Sequence, residues 1–296
     1  MTYVILFFLI VFNTFVEFLP VSSTAHFILV SKLISSYSNL DVFNTSLEFL
    51  PVSLTTHLVL ENEFINSNFN LDVILATAQI GITIGVCVYF RNTIKDIIIN
   101  LFKRDKKYFL FCLNVIVATL PTFLVGLTLY SFIKKWCGSN VSIAIALFMG
   151  SVLMLVAEKI YKNNRNNDEQ NKTDFYNLDF KSALKIGILQ SLSLFTGFSR
   201  SGSTISGCLL SNFSRQNAVA MSFFLSIPVS LAGSLLSLYK NLDVVLNNYG
   251  IMLFCVILSF IFTILFCRGI IDFLKKNNLY IFIYYRIILG ILLMLI

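Results

Sequence analysis

The sequence predicts an all-α polytopic membrane protein, arranged as an inverted-topology repeat in which each half has a re-entrant helical hairpin and three transmembrane helices. Its 296 residues are 57% hydrophobic and 12% charged, with a mean hydropathy of +0.82, whereas soluble domains carry roughly 25% charged residues. Apolar runs long enough to cross a bilayer recur along the chain. Two further apolar runs are interrupted near their middles by Pro, Gly, Ser and charged residues.

The apolar runs define the elements in chain order. The first interrupted run, at about 3–30, precedes uninterrupted runs at about 72–90, 108–133 and 141–157. The second, at about 183–212, precedes runs at about 217–239, 249–267 and 278–296. Because three spans separate the interrupted runs, the second half must start from the opposite side of the membrane. We therefore expect one membrane domain with half-repeats 1–162 and 181–296, joined by a polar cytoplasmic linker at 163–180.

The Lys and Arg residues indicate the orientation. Segments 91–107, 159–185 and 268–276 are rich in them, whereas the intervening loops hold only Lys134, Lys135 and Lys240. The positive-inside rule places the rich segments in the cytoplasm and both termini on the outer side. Topology thus accounts for the net charge of +7, so we expect membrane lipids as neighbours and no nucleic-acid partner.

The first interrupted run belongs to a tandem duplication. Segment 11–41 is followed at once by a diverged copy, 42–72, and 18 of the 31 paired positions are identical. Glu17 and His26 in the first copy correspond to Glu48 and His57 in the second, and these are the only two histidines in the chain. Ionisable residues in apolar sequence are costly and point to function.

The first copy carries a motif that suits catalysis. Asn13 and Glu17 are four residues apart, hence on one face of a helix. Pro20 ends that helix, and hydroxyl side chains at 22–24 and His26 follow at the expected hairpin tip. The alternative is a polar cap at the membrane interface, with the histidine satisfied in packing.

The second interrupted run carries a motif that suits phosphate binding, at 196–204. Its two glycines let backbone approach a ligand closely, and Arg200 supplies a planar fork that matches a phosphate group. The hydroxyls of Ser199, Ser201 and Thr204 are further donors. A purely structural turn is the alternative interpretation of this motif.

At these two motifs the chain resembles the undecaprenyl-diphosphate phosphatases, also called the bacitracin-resistance proteins. The segment EFLPVSSTAH at 17–26 is similar to the first signature of that family, and GFSRSGST at 197–204 is similar to the second. The resemblance continues through LDVILATAQIG, through Pro121 in ATLPTFLVG and through Pro228 in FFLSIPVSLAG. It covers the whole chain except one 31-residue unit.

The resemblance implies a membrane hydrolase with two re-entrant hairpins that converts undecaprenyl diphosphate to undecaprenyl phosphate and inorganic phosphate. This reaction recycles the lipid carrier of peptidoglycan synthesis at the bacterial plasma (inner) membrane and confers bacitracin resistance. The resemblance also implies a polyprenyl diphosphate substrate and a divalent cation, Mg²⁺ or Ca²⁺. The sequence does not indicate an oligomeric state.

Residue roles follow from the chemistry of a diphosphate. We expect Ser23 to be the nucleophile or to orient the attacking water, with His26 as acid/base. Glu17 is expected to bind the metal, helped by Asn13, or to act as a base. We expect the substrate phosphate to be bound by Arg200, Ser199, Ser201, Thr204 and Thr24.

Two departures from the family bear on this assignment. The family has Glu or Gln where this chain has Asn13, which puts metal binding there in question, and it usually has proline where this chain has Thr196. The second copy has Leu54 in place of Ser23. We therefore predict that the first copy is the catalytic hairpin and the second a degenerate insertion.

Two other functions remain open from the sequence. A lipid or small-molecule transporter or flippase could use the same inverted repeat with broken helices. A catalytically impaired member of the family is also possible, because Asn13 and the inserted copy both alter the first motif.

Overall fold

A computed structural model describes residues 2–23, 25–26, 71–136, 139–165 and 173–295. Most of the second copy of the duplication, including Glu48 and His57, lies outside these ranges. Within them, regular structure is helical apart from an isolated bridge between Thr173 and Phe213. The prediction of an all-α protein is therefore confirmed.

Twelve α-helices follow one another in the described part of the chain. They are α1 (Thr2–Glu17), α2 (Leu71–Tyr89), α3 (Arg91–Phe102), α4 (Lys106–Thr128), α5 (Tyr130–Trp136), α6 (Asn140–Arg165), α7 (Phe180–Ser191), α8 (Arg200–Leu210), α9 (Arg215–Lys240), α10 (Leu242–Asn247), α11 (Tyr249–Lys276) and α12 (Tyr280–Leu295). A 3₁₀ turn, Leu192–Leu194, continues α7.

Four of these helices, α4, α6, α9 and α11, are long and apolar enough to cross a bilayer. The pair α2–α3 passes the same test as one element, bent by 70° at its break, which makes up to five candidate spans. Helices α1 and α12 are apolar but shorter. Five of the six uninterrupted apolar runs thus lie largely within a single helix. The run at 108–133 instead continues past the end of α4 at Thr128 into α5. The chain is a multi-pass membrane protein.

Local sequence signals set several helix ends. Asp105 begins α4 by accepting a hydrogen bond from the Lys107 amide at 2.8 Å, and Ser214 begins α9 in the same way through Asn217. Asp179 caps α7. A hydrogen bond with the Ser182 side chain holds the pKa of the Asp179 carboxyl below its ordinary value.

Helices of the two halves pack against each other. Helix α2 lies against α9 and α11, α4 lies against α7, and α6 lies against α12. Their outer faces carry exposed large hydrophobic side chains, as expected for helices surrounded by lipid. The two interrupted runs meet between these helices, so their loops are enclosed by protein.

An ion pair joins the halves at the end of the molecule where α6 finishes and α9 begins. Arg215 donates two hydrogen bonds of 2.7 Å to Glu158, which also accepts from the Leu279 amide at 2.7 Å. Nearby, the predicted linker packs from Thr173 onward, and Leu178 is buried. A buried carboxylate with three donors is well satisfied. This cluster therefore holds α6, the start of α9 and the residue before α12 together.

Candidate active site

The first interrupted run forms a tight loop after α1. The helix ends at Glu17, the Leu19 amide donates to the Val16 carbonyl at 3.0 Å, and Pro20 follows. Ser22 has a φ of +69°, an uncommon conformation for a residue with a side chain. Helical structure resumes at Ser23. The loop therefore presents the Glu17 and Ser23 side chains from its two ends.

The second interrupted run forms a corresponding loop between α7 and α8. Gly197 has a φ of +108°, and a Cβ there would lie 2.6 Å from the Ile143 carbonyl oxygen, so only glycine fits. Ser199 has a φ of +67° and caps α8 by accepting from the Gly202 amide at 3.3 Å. Arg200 begins α8 directly after this cap.

An ion pair brings the two loops together. Arg200 Nη2 lies 2.8 Å from Glu17 Oε1, and the side chains are 20% and 9% exposed, respectively. The Ser23 hydroxyl donates to the other carboxylate oxygen of Glu17 at 3.1 Å. The structure thus brings together three of the predicted site residues, which come from motifs about 180 residues apart.

Two residues that sequence reasoning did not single out complete the surroundings of Arg200. Its Nη1 donates to the Ser230 hydroxyl of α9, which also accepts from Gln79 Nε2 of α2 at 3.1 Å. Ser230 thus holds one terminal nitrogen of the guanidinium while Glu17 holds the other. Gln79 lies within the segment LDVILATAQIG, so a polar residue in an apolar run was the available signal.

The other predicted phosphate-binding hydroxyls divide into two groups. Ser199 and Ser201 lie 3.3 Å apart at the start of α8, and Ser201 donates to the Leu19 carbonyl of the first loop at 3.0 Å. Thr204 is fully buried and donates to the Arg200 carbonyl at 2.8 Å. Thr204 therefore stabilises the first turn of α8, and Thr24 lies outside the described residues.

His26 lies behind the first loop, next to α12. Its Nδ1 is 2.7 Å from the Ser22 carbonyl and its Nε2 is 2.6 Å from the Tyr285 hydroxyl. A carbonyl can only accept, so the proton belongs on Nδ1, and Nε2 accepts from the tyrosine. These bonds fix the loop that carries Ser23, and His26 is not among the residues that line the cavity described below.

Asn13 lies one helical turn before Glu17 and is fully buried. Neither its Nδ2 nor its Oδ1 has a hydrogen-bond partner among the described residues. Such a group normally has a partner in the folded protein. Across the described ranges, no cluster of three or more His, Cys, Asp and Glu side chains is placed to hold a metal ion. Protein oxygens at this place could contribute only part of a coordination shell.

A cavity of about 660 Å³ opens beside the two loops. Its polar end contains Glu17, Ser23 and Arg200, together with the hydroxyls at 199, 201 and 230. It also reaches Lys240, ten residues beyond Ser230 on α9, which is about 15 Å along a helix. Apolar side chains line the walls between, among them Leu75, Phe123, Leu127, Leu194, Val229 and Leu236. This shape suits a molecule with an anionic head and an apolar tail.

The arrangement supports phosphate chemistry. A guanidinium fork and neighbouring hydroxyls bind phosphate oxygens well, and a serine that donates to a carboxylate can lose its proton to it. Arg286 of α12, which the sequence analysis missed, hydrogen-bonds to both loops. It is an arginine within the last apolar run, and that position was the signal that could have identified it.

Comparisons with known proteins agree with this chemistry. A family model described as bacitracin resistance protein BacA matches residues 45–292. The chain is 32% identical over 282 residues to undecaprenyl-diphosphatase 3 of Acinetobacter baylyi, covering 94% of this chain and 91% of the relative. It is 34% identical over 280 residues to the undecaprenyl-diphosphatase of Nitrosospira multiformis, covering 94% and 89%.

The family match begins inside the second copy of the duplication, at residue 45. That copy is contiguous with the rest of the matched range, whereas the first copy is separated from it by 31 residues. The structure instead joins the first copy to Arg200 through Glu17. The boundary of the match and the observed contact therefore point to different copies, and we give more weight to the contact because it involves the reactive side chains.

Proposed function

The chain belongs to the bacitracin resistance protein BacA family, and we propose that it cleaves its substrate at the Glu17–Arg200 pair. It is an undecaprenyl-diphosphatase of the bacterial inner membrane, which converts undecaprenyl diphosphate to undecaprenyl phosphate and inorganic phosphate. This activity recycles the lipid carrier of peptidoglycan synthesis and confers bacitracin resistance. A transporter on the same fold is not favoured, because the relatives are named as phosphatases.

One observation carries the assignment of the site. The Glu17–Arg200 ion pair, with Ser23 bonded to the same carboxylate, lines a cavity whose walls are mostly apolar. A prenyl diphosphate has the matching distribution of charge and apolar surface. In this proposal Arg200 binds the terminal phosphate and the Ser199 hydroxyl donates to its oxygens. The Ser201 hydroxyl does the same when it turns away from the Leu19 carbonyl.

Ser23 is the proposed nucleophile. Its Oγ attacks the terminal phosphorus, the bond to the bridging oxygen breaks, and undecaprenyl phosphate leaves with the bonding electrons. Glu17, which already accepts the Ser23 hydroxyl hydrogen at 3.1 Å, takes the proton. Water then attacks the phosphoserine and the bond from phosphorus to Oγ breaks. Ser23 Oγ recovers its proton from Glu17, and the oxygen and both protons of the water leave with inorganic phosphate. The acid/base role of His26 remains a prediction, and its bonds to Ser22 and Tyr285 support a role in holding the loop.

We expect purified protein to release inorganic phosphate from undecaprenyl diphosphate in detergent. The measurement is colorimetric phosphate release, with undecaprenyl monophosphate as the control substrate, since the proposed reaction acts on the diphosphate. Equal release from both lipids, or none from the diphosphate by folded protein, would contradict the proposal.

A divalent cation is the second part of the proposal. Magnesium is usually held by one or two protein oxygens together with substrate phosphates. Glu17 and Asn13, whose side chain has no hydrogen-bond partner among the described residues, fit that mode. The cation would neutralise phosphate charge. Arg200 faces Oε1 of Glu17 and Ser23 faces Oε2, so the cation would use a further lone pair on one of these oxygens.

Chelation with EDTA is therefore expected to abolish phosphate release, and Mg²⁺ or Ca²⁺ to restore it. Asn13→Glu adds a second carboxylate beside Glu17, so the cation concentration for half-maximal rate should fall by about tenfold. Asn44→Glu, the same change in the second copy, is the matched control and should leave it unchanged. Full activity in EDTA would exclude the cation.

The inverted repeat is proposed from the pattern of contacts between helices. If α1, α2, α4 and α6 correspond to α7, α9, α11 and α12, then the contact of α1 with α11 has its counterpart in that of α7 with α4. The pairs α2–α9 and α6–α12 join counterparts directly. Ser22 and Ser199, with φ of +69° and +67°, occupy similar places in the two loops. With the Lys and Arg distribution, this supports both termini on the outer side.

A further inference from the structure

Arg286 is the only charged residue of α12, and its side chain is fully buried. Burying a charge costs several kcal/mol unless it is well hydrogen-bonded. The ion pairs between described residues are Arg200–Glu17, Arg215–Glu158 and Arg268–Asp272, so no described carboxylate compensates Arg286. Neutral oxygens alone surround its guanidinium in the described part of the chain.

The acceptors of Arg286 come from three elements. Nη1 donates to the Pro20 carbonyl of the first loop at 3.4 Å, and Nη2 donates to the Gly197 carbonyl of the second loop at 3.0 Å. The remaining bonds, to the Leu147 carbonyl at 3.2 Å and the Ser151 hydroxyl at 3.3 Å, anchor the guanidinium to α6. A single side chain thus bonds to both loops and to the helix behind them.

The bonded carbonyls lie close to the reactive groups along the chain. Pro20 is three residues from both Glu17 and Ser23, and Gly197 is three residues from Arg200. Carbonyls in loops lack the partners that helices provide and need another donor when buried. Arg286 itself is not among the residues that line the cavity, so it acts on the loops from outside the site.

We propose that Arg286 is a positioning residue that fixes the two loops relative to each other, so that Glu17 from one meets Arg200 from the other. The inference rests on the proposed function, because it concerns the same ion pair. An apolar side chain of similar length would fill this volume without the cost of burying charge. Only a residue with several donors in a planar fork can bond to both loops at once.

The position of Gly150 on α6 provides a test in which Arg286 itself is not substituted. A Cβ at Gly150 would collide with Arg286 Nη2 and would lie 2.9 Å from the Phe198 carbonyl oxygen of the second loop. Gly150→Ala must therefore displace the guanidinium or the loop. Gly269→Ala is the matched control, because it makes the same change within α11 and meets nothing within 4 Å.

Two readouts separate positioning from a merely structural role. Gly150→Ala is expected to lower kcat by about 100-fold, as a 1 Å misplacement in a catalytic site does. KM should change by no more than about threefold in either direction. Hydrogen exchange in peptides spanning residues 18–23 and 195–201 should accelerate by about tenfold, as loss of a charge-assisted hydrogen bond predicts. Gly269→Ala should change neither.

Arg286→Met and Arg286→Lys extend the test. The methionine variant should resemble Gly150→Ala, and the lysine variant should recover part of kcat, because it keeps the charge but has no fork. Unchanged exchange at both loops in Gly150→Ala would overturn the inference even if the protein had no phosphatase activity. A lower melting temperature with kcat within about twofold of wild type would also overturn it. Failure of wild type to release phosphate would instead count against the proposed function.

Discussion

Replacing Arg200 with alanine is expected to lower the rate of phosphate release by about 10³-fold or more, the scale at which arginines stabilise phosphoryl-transfer transition states. Arg200 is the proposed ligand of the terminal phosphate and the partner of Glu17 at 2.8 Å. Its removal takes away the positive charge of the site and leaves a carboxylate buried without its cation. Both consequences oppose the binding of a diphosphate.

Arg200→Lys should recover only a small part of the rate. An ammonium group preserves the charge but cannot bond to Glu17, Ser230 and a phosphate through one planar fork. Arg268→Ala is the control, since Arg268 forms an exposed ion pair with Asp272 at 4.0 Å. Exposed ion pairs contribute little to stability. Phosphate release by purified, monodisperse protein is the measurement. An Arg200→Ala rate within about tenfold of wild type would remove Arg200 from the proposed site.

The duplication provides the second large effect, because each change in the first copy has a matched change in the second. Glu17→Gln and His26→Ala are expected to lower phosphate release by about 10² to 10⁴-fold. Glu48→Gln and His57→Ala should leave it close to wild type. Ser23→Ala should abolish it, and a variant lacking residues 42–72 should remain active.

This set of variants decides between the copies. The first copy is favoured because Glu17 and Ser23 contact each other and Arg200, and because the second has Leu54 where the first has Ser23. The family match beginning at residue 45 favours the second. Activity that survives Glu17→Gln but is lost in Glu48→Gln would transfer the catalytic role to the second copy and contradict our assignment.

Much of the fold was predictable from the sequence because the bilayer imposes strong local rules. A continuous apolar run has to satisfy its backbone internally, so it forms a helix. Runs such as 141–157 and 249–267 therefore lie within α6 and α11. The two motifs were also predictable, since Glu17 and Arg200 are charged residues in apolar sequence, and the structure brings them together.

The rest of the site depends on contacts between distant parts of the chain. Arg286 bonds to a carbonyl 266 residues away, and Tyr285 bonds to a histidine 259 residues away. No periodicity or local motif encodes such pairings. The sequence predicts His26 as an acid/base and Thr204 as a phosphate ligand, and both stay predictions. Their hydrogen bonds to the Ser22 carbonyl and to the Arg200 carbonyl depend on the fold and are not evident from the motifs.

The size of the cavity has a consequence for how the enzyme meets its substrate. A volume of about 660 Å³ is the size of a site that encloses a drug-sized molecule, and a 55-carbon chain with its diphosphate is much larger. We therefore expect the cavity to hold the head and the first isoprene units, with the remaining hydrocarbon among the lipids. The substrate should then enter laterally from the membrane, and we expect activity to depend little on the length of the hydrocarbon beyond those first units.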